Sequence, residues 1–242
     1  MKVEVVCTNM ESVQNAKNAG ADRIELCSAL SVGGLTPSPA LIEAAKNYFM
    51  GDVFVLIRPR EGNFIYSEVE FEIMLKDIST AIKHGASGIV SGVLLSSNKI
   101  DIERTKKLVD ATYPLPFTFH RAFDSIADPI TSLEILKNIG VKRILTSGQK
   151  PTALEGKELL KKLNHLAADE IIILAGSGIT PVNVLEIVNE THVKEIHFSA
   201  TLKKTSISKG EENKIDFGSY DISDLKSIQL IISELKKRTT IG

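Results

Sequence analysis

The run Phe117-Thr118-Phe119-His120-Arg121-Ala122-Phe123-Asp124 begins apolar and ends in an imidazole, a guanidinium and a carboxylate. That is how a buried strand looks when its C-terminal end delivers polar groups to a site. Other apolar runs end or are punctuated in the same way. Arg23-Ile24-Glu25-Leu26-Cys27 carries a carboxylate and a thiol, Val53–Arg58 ends in a guanidinium, and Glu195-Ile196-His197-Phe198 holds a second imidazole. Carboxylates and histidines gathered at one place can trade protons near neutral pH, because burial and neighbouring charges tune their pKa values. Glu25, Arg58, His120, Asp124 and His197 are therefore the candidate catalytic residues, with Arg121 beside them and Glu4 the weakest member. The same set can instead form an ion-pair network that only satisfies buried polar groups.

A second cluster is built for anions. Ala175-Gly176-Ser177-Gly178 places glycines where backbone N–H groups can approach a ligand, and Thr146-Ser147-Gly148 and Ser199 fall after neighbouring strands. Barrels often bind phosphate at such turns, although a glycine turn can also serve only tight geometry. Thr146, Ser147, Gly148, Gly176, Gly178 and Ser199 are the candidate anion-binding residues.

Positioning these groups takes eight strands. β-branched runs recur at Val3–Val6, Arg23–Cys27, Val53–Arg58, Gly88–Val93, Pro116–His120, Arg143–Thr146, Ile171–Ala175 and Glu195–Phe198. Amphipathic stretches lie between them, among them Glu68–His84, Ile102–Thr112 and Pro129–Ile139. Ser67 with Glu70 makes a capping box, while Ser38-Pro39, Asp128-Pro129 and Thr180-Pro181 place a cap before a proline. Gly20, Gly85 and Gly140 sit where helices stop. Strict alternation of strand and helix, with no linker, predicts one α/β domain over residues 1–242, a single (β/α)8 TIM barrel. Residues 201–220 break the rhythm: polar and without periodicity, they are expected as a long loop after the eighth strand, either a lid or a plain surface loop.

Alternation along each strand selects the side chains that face the barrel axis. An inward His120 takes Thr118 with it. An inward Glu25 brings Arg23 and Cys27, Arg58 accompanies Phe54 and Leu56, and His197 accompanies Glu195 and Ser199. On the first strand, pointing Glu4 outward would bury its charge among apolar helices at a cost of several kcal/mol. Glu4 is thus placed inward, which assigns Cys7 to the outer face.

Composition narrows the class. The 242 residues carry a formal charge of −1 and 43% hydrophobic residues, so neither nucleic acid nor an acidic membrane is an expected partner. Lys236-Lys237-Arg238 suits a solvated helix end. No apolar run reaches the roughly 18 residues of a membrane span, and no apolar leader precedes Val3, so a cytoplasmic location is expected. Two cysteines cannot make a disulfide framework, and as thiols they raise the question of a metal.

Several segments together resemble one family, the CutC-type copper homeostasis proteins. They are Gly20–Cys27, Gly33-Gly34-Leu35-Thr36-Pro37-Ser38, Ile57-Arg58-Pro59-Arg60, Phe117–Asp124, Leu145–Lys150, Ala175–Gly178 and His197. They run in order to about residue 200, after which the likeness thins. The resemblance implies a cytoplasmic TIM barrel, a homodimer or higher homo-oligomer, with a role in copper handling and no established reaction. Cu(I) prefers sulfur ligands, and the chain offers Cys27 and Cys7 as the candidate metal residues, with His120 or His197 as supplements. Cys27 can equally be a small buried hydrophobe. The alternative to copper binding is an isomerase- or lyase-like enzyme acting on a small anionic or phosphorylated metabolite, and a scaffold with a vestigial mouth is a third option.

Overall fold

Each β-branched run becomes a strand whose alternate side chains face opposite ways. The computed structural model describes residues 1–205 and 218–239. Eight strands pair in parallel and in chain order: β1 (Lys2–Cys7), β2 (Arg23–Leu26), β3 (Asp52–Leu56), β4 (Gly88–Ser91), β5 (Phe117–Phe119), β6 (Arg143–Thr146), β7 (Ile172–Gly176) and β8 (Glu195–Phe198). β8 returns to β1 with Glu4 opposite His197, and β1 meets β2 with Glu4 opposite Arg23, so the barrel is closed. Around it lie α1 (Met10–Ala19), α2 (Pro39–Tyr48), α3 (Glu68–Lys83), α4 (Ile102–Thr112), α5 (Pro129–Asn138), α6 (Lys157–Ala167), α7 (Val184–Thr191) and α8 (Leu225–Thr239). This is the (β/α)8 barrel that the alternation predicts.

The helix starts follow the capping logic. Ser67 accepts the Glu70 N–H while the Glu70 side chain returns to the Ser67 N–H. Asp128 accepts from the N–H groups of Ile130 and Thr131 ahead of Pro129, and Ser38 caps Leu41. Gly20 closes α1 at φ 82°, a left-handed turn that a β-carbon would strain. The seventh helix differs from expectation. Thr180-Pro181 does not cap it; the Asn183 side chain accepts the Thr180 N–H instead, and α7 begins at Val184.

Parity divides the core into two. Val3, Val5, Ile24, Leu26, Val53, Val55, Ile89, Phe117, Phe119 and Ile144 face the helices, and Cys7 belongs to this outer layer. Val6, Cys27, Phe54, Leu56 and Val90 pack inside the barrel. α8 closes the ring with Ile228, Ile231, Ile232 and Leu235, one buried stripe at helical spacing worth roughly 1.5–3 kcal/mol per side chain.

Residues 201–220 are not all loop. β9 (Thr201–Thr205) pairs antiparallel with β10 (Ser219–Ser223), and Asn9, Ser12 and Asn15 anchor β10 to α1 through its backbone. The sequence hid this pair because Thr201–Lys204 are exposed, so no apolar alternation marks them. The remainder of the expected loop, residues 206–217, lies outside the described residues.

Candidate active site at the barrel mouth

The barrel axis is charged. At its lower end Arg143 Nε donates to Glu195 Oε2 at 3.0 Å, and Arg23 Nη2 donates to the same oxygen at 2.5 Å. Arg23 Nε donates to Glu4 Oε2, and the other oxygen of Glu4 lies 2.7 Å from His197 Nδ1. Glu25 Oε2 lies a further step up, 4.0 Å from the same nitrogen. The Phe54 ring packs between the guanidiniums of Arg23 and Arg143, with centroid distances of 4.7 and 5.3 Å. Buried ions persist only when they are paired and hydrogen-bonded. Two arginines balance Glu4 and Glu195, which leaves Glu25 and His197 to settle their charge between themselves.

The ionisation follows from that arrangement. Burial alone would raise Glu4, but Arg23 and the His197 hydrogen bond outweigh it and hold the carboxyl at about 2. Burial raises Glu25 and nearby Glu4 adds to it; His197 and Arg23 only partly offset them, so Glu25 sits at about 7. Burial opposes charge on His197, yet Glu25 and Glu4 raise it above its ordinary value. Glu25 thus titrates near neutral pH beside an imidazole that holds its proton more tightly than usual.

Above this pair opens a cavity of about 560 Å³, the size of a small-molecule site. Glu25, Cys27, Arg58, His120, Arg121 and His197 line it, together with the turns 177–181 and 199–201. Five of the sequence-predicted residues are there, as are Gly178 and Ser199.

His120 follows β5 and opens a short 3-10 turn, Arg121–Ser125. Its Nδ1 accepts the Ala122 N–H at 3.2 Å, which leaves the ring proton on Nε2. Burial and nearby Arg58 push it down to about 3, so the imidazole is neutral at physiological pH. Gly92 gives the ring its space: a β-carbon there would lie 2.7 Å from His120 Nδ1.

Other predicted residues have their groups committed elsewhere. The candidate catalytic Arg58 donates from Nη1 to the Val32 and Gly34 carbonyls and from Nη2 to Gly62, pinning two loops, while its buried Nε has no partner among the described residues. Asp124 accepts from Arg121 Nε, Thr146 Oγ1, Ser147 N and Gln149 N, tying the 3-10 turn to the β6 turn. Thr146, Ser147 and Gly148 build that turn and do not line the cavity, nor does Gly176. Cys7 packs behind the barrel wall with its Sγ toward the Val5 carbonyl, whereas Cys27 faces the cavity. Burial raises both thiols well above their ordinary value, Cys27 further through Glu25 and Cys7 through Cys27. This arrangement does not fit a paired-thiolate Cu(I) site.

The group of donors that does converge is Glu4, Glu25 and His197, with one atom from each within 4.8 Å of the others. Their nitrogen and oxygen atoms match harder cations than Cu(I); Glu4 and His197 are joined by a hydrogen bond, and Glu25 Oε2 stands 4.0 Å from the imidazole.

Sequence reasoning missed Arg143 and treated Arg23 and Glu195 only as inward-facing. Strand parity with Leu145 was the signal for Arg143. Arg121 was read as lying just beyond the site, yet it reaches the cavity wall while donating to Asp124 and to Ser147 Oγ at 3.0 Å.

Fold and mouth together define a (β/α)8 barrel carrying a buried carboxylate–imidazole pair under a small-molecule cavity. Residues 1–202 match the CutC family model, and the chain belongs to the CutC family. It is 48% identical over 199 residues to a family protein CutC of Pasteurella multocida, covering 82% of each chain. It is 43% identical over 216 residues to the human copper homeostasis protein cutC homolog, covering 89% of this chain and 79% of the relative. The crystal structure of the CutC protein of Streptococcus agalactiae superimposes with a TM-score of 0.79 at 37% identity, over 82% of this chain and 98% of that one. Among the described residues no helix is long and apolar enough to cross a membrane.

Proposed function

We propose that the barrel mouth binds a small anionic molecule and moves a proton on it, in an isomerase- or lyase-type reaction. The observation that carries this reading is Glu25 Oε2, buried, without a hydrogen-bond partner among the described residues and 4.0 Å from His197 Nδ1 at the cavity wall. Glu25 acts as the general base and His197, held by Glu4, sets its charge state. Arg121, beyond its pairing with Asp124, and the backbone N–H groups of Ser177, Gly178 and Ile179 form the side of the cavity for the anionic group. A thermal-shift screen with phosphorylated and carboxylated metabolites tests this. At least one should raise the melting temperature, and Glu25→Gln should keep that binding and lose turnover. If no compound shifts the wild type, the reading falls.

Relatives named for copper homeostasis favour a second reading, Cu(I) binding through Cys27, whose side chain lines the same cavity. A Cu(I) competition titration under reduction separates the two. Tight binding lost in Cys27→Ala and kept in Cys7→Ala supports copper; equal binding in all three proteins removes the thiol. Both readings place the protein in the cytoplasm, where thiols stay reduced, as a homo-oligomer whose order light scattering measures.

A further inference from the structure

His120 holds one hydrogen-bond donor that no group among the described residues uses. Because Nδ1 accepts the Ala122 N–H, Nε2 carries the proton, and Nε2 is buried without a partner. The ring is fixed in that pose. Gly92 packs against its Nδ1 edge, and the Phe64 and Phe119 rings lie 4.7 and 6.1 Å away by centroid. Buried polar groups in native proteins are almost always paired, so an orphaned donor beside a cavity marks a place for an acceptor. Among the described residues the one orphaned acceptor on the same cavity wall is Glu25 Oε2, three strands away around the ring.

This neutral donor stands beside the Arg58 guanidinium, whose buried Nε also lacks a partner among the described residues. The setting suits an oxygen that is neutral when bound and gains charge during reaction. We infer that the ligand is a small carbonyl compound whose C=O oxygen accepts from His120 Nε2–H, with its α-carbon facing Glu25. This rests on the acid–base reading of the mouth and names its substrate class. Glu25 Oε2 takes the α-proton, and the C–H electron pair becomes the C=C bond of an enolate. The C=O π pair moves onto oxygen, where His120 Nε2–H stabilises it. The proton then returns from Glu25 to the same carbon, and the oxygen's electron pair re-forms the C=O bond. No oxidant, reductant or second reactant is needed. Deep burial keeps His120 a neutral donor throughout.

The experiment follows exchange of α-protons by NMR in deuterated buffer, with dihydroxyacetone phosphate, glyceraldehyde 3-phosphate, pyruvate and 2-oxoglutarate as probes. The wild type should exchange at least one of them above the buffer rate. Glu25→Gln should abolish the exchange, His120→Leu should slow it at least 100-fold, and His120→Gln, which keeps an N–H donor, should recover part of it. Circular dichroism confirms that each variant is folded. Exchange lost in Glu25→Gln but unchanged in His120→Leu overturns the assignment of His120 and leaves the base intact. No exchange on any probe overturns the carbonyl class; a melting-temperature rise with the same anionic probes then shows that the underlying reading survives, and its absence that both fall.

Discussion

Glu25 is held in a state that folding disfavours. Unfolded, its carboxyl ionises near 4.5; folded, burial moves it to about 7. As pH rises between those values the unfolded chain releases the proton first, so the native state loses stability across that window and does not recover it above. Glu25→Gln should therefore match the wild type near pH 4 and be more stable at pH 8, by roughly 1–3 kcal/mol or a few degrees of melting temperature. A melting series at the two pH values measures this, and a variant less stable at pH 8 would contradict it. His120 runs the other way. Its unfolded imidazole protonates near 6.5, whereas the buried ring resists to about 3, so stability falls as the solution is acidified from 6.5 toward 3. Acid denaturation of His120→Leu should show a flatter upper limb. At this scale the sequence was legible where a polar residue ends an apolar run, as for His120 and His197. It was not legible where the partner is remote. Nothing near Arg58 announces that the carbonyls of Val32, Gly34 and Gly62 will hold its guanidinium.

Among the elements, the turn after β6 is built by contact rather than by propensity. Gly148 and Gly156 pass so close that a β-carbon on Gly156 would lie 1.8 Å from the Ser147 carbonyl oxygen. Gly156→Ala should cost about 3 kcal/mol or more, because the clash is with backbone that Asp124 already fixes at Ser147 and Gln149. Urea unfolding reads that loss, and a change below 1 kcal/mol would show that the turn gives way. The strands themselves were readable from period-two alternation and β-branching, and on β1 the cost of burying an unpaired carboxylate placed Glu4 inside, from which parity set Cys7 outside. The β9–β10 pair was not, since exposed polar strands carry no such pattern. The later start of α7 escaped for a related reason: Thr180-Pro181 has the composition of a cap, and only the Asn183 side chain shows where the helix begins.

Taken whole, the molecule was the easiest scale to read and the hardest to weigh. Eight repeats of strand and helix leave closure as the natural outcome, but no local pattern says how the inward charges balance. Arg23, fully buried between Glu4 and Glu195, holds that balance. Arg23→Met should destabilise by about 3–5 kcal/mol, since it leaves one buried arginine, Arg143 on Glu195, for two carboxylates and leaves Glu4 with His197 alone. Adding Glu4→Gln and Glu195→Gln should restore part of the loss. Chemical denaturation of the single and triple variants gives the comparison, and a single variant near wild-type stability would show that water reaches the axis. The run of contacts from Arg143 to Glu25 has a further consequence. Protonation at the mouth is referred, through Glu4 and His197, to the Arg23 guanidinium, which lines no part of the cavity. The underside of the barrel is thus a tuning screw for the chemistry above it. Its residues cannot drift independently, and an engineer can shift the working pH of the mouth without altering a single wall of the cavity.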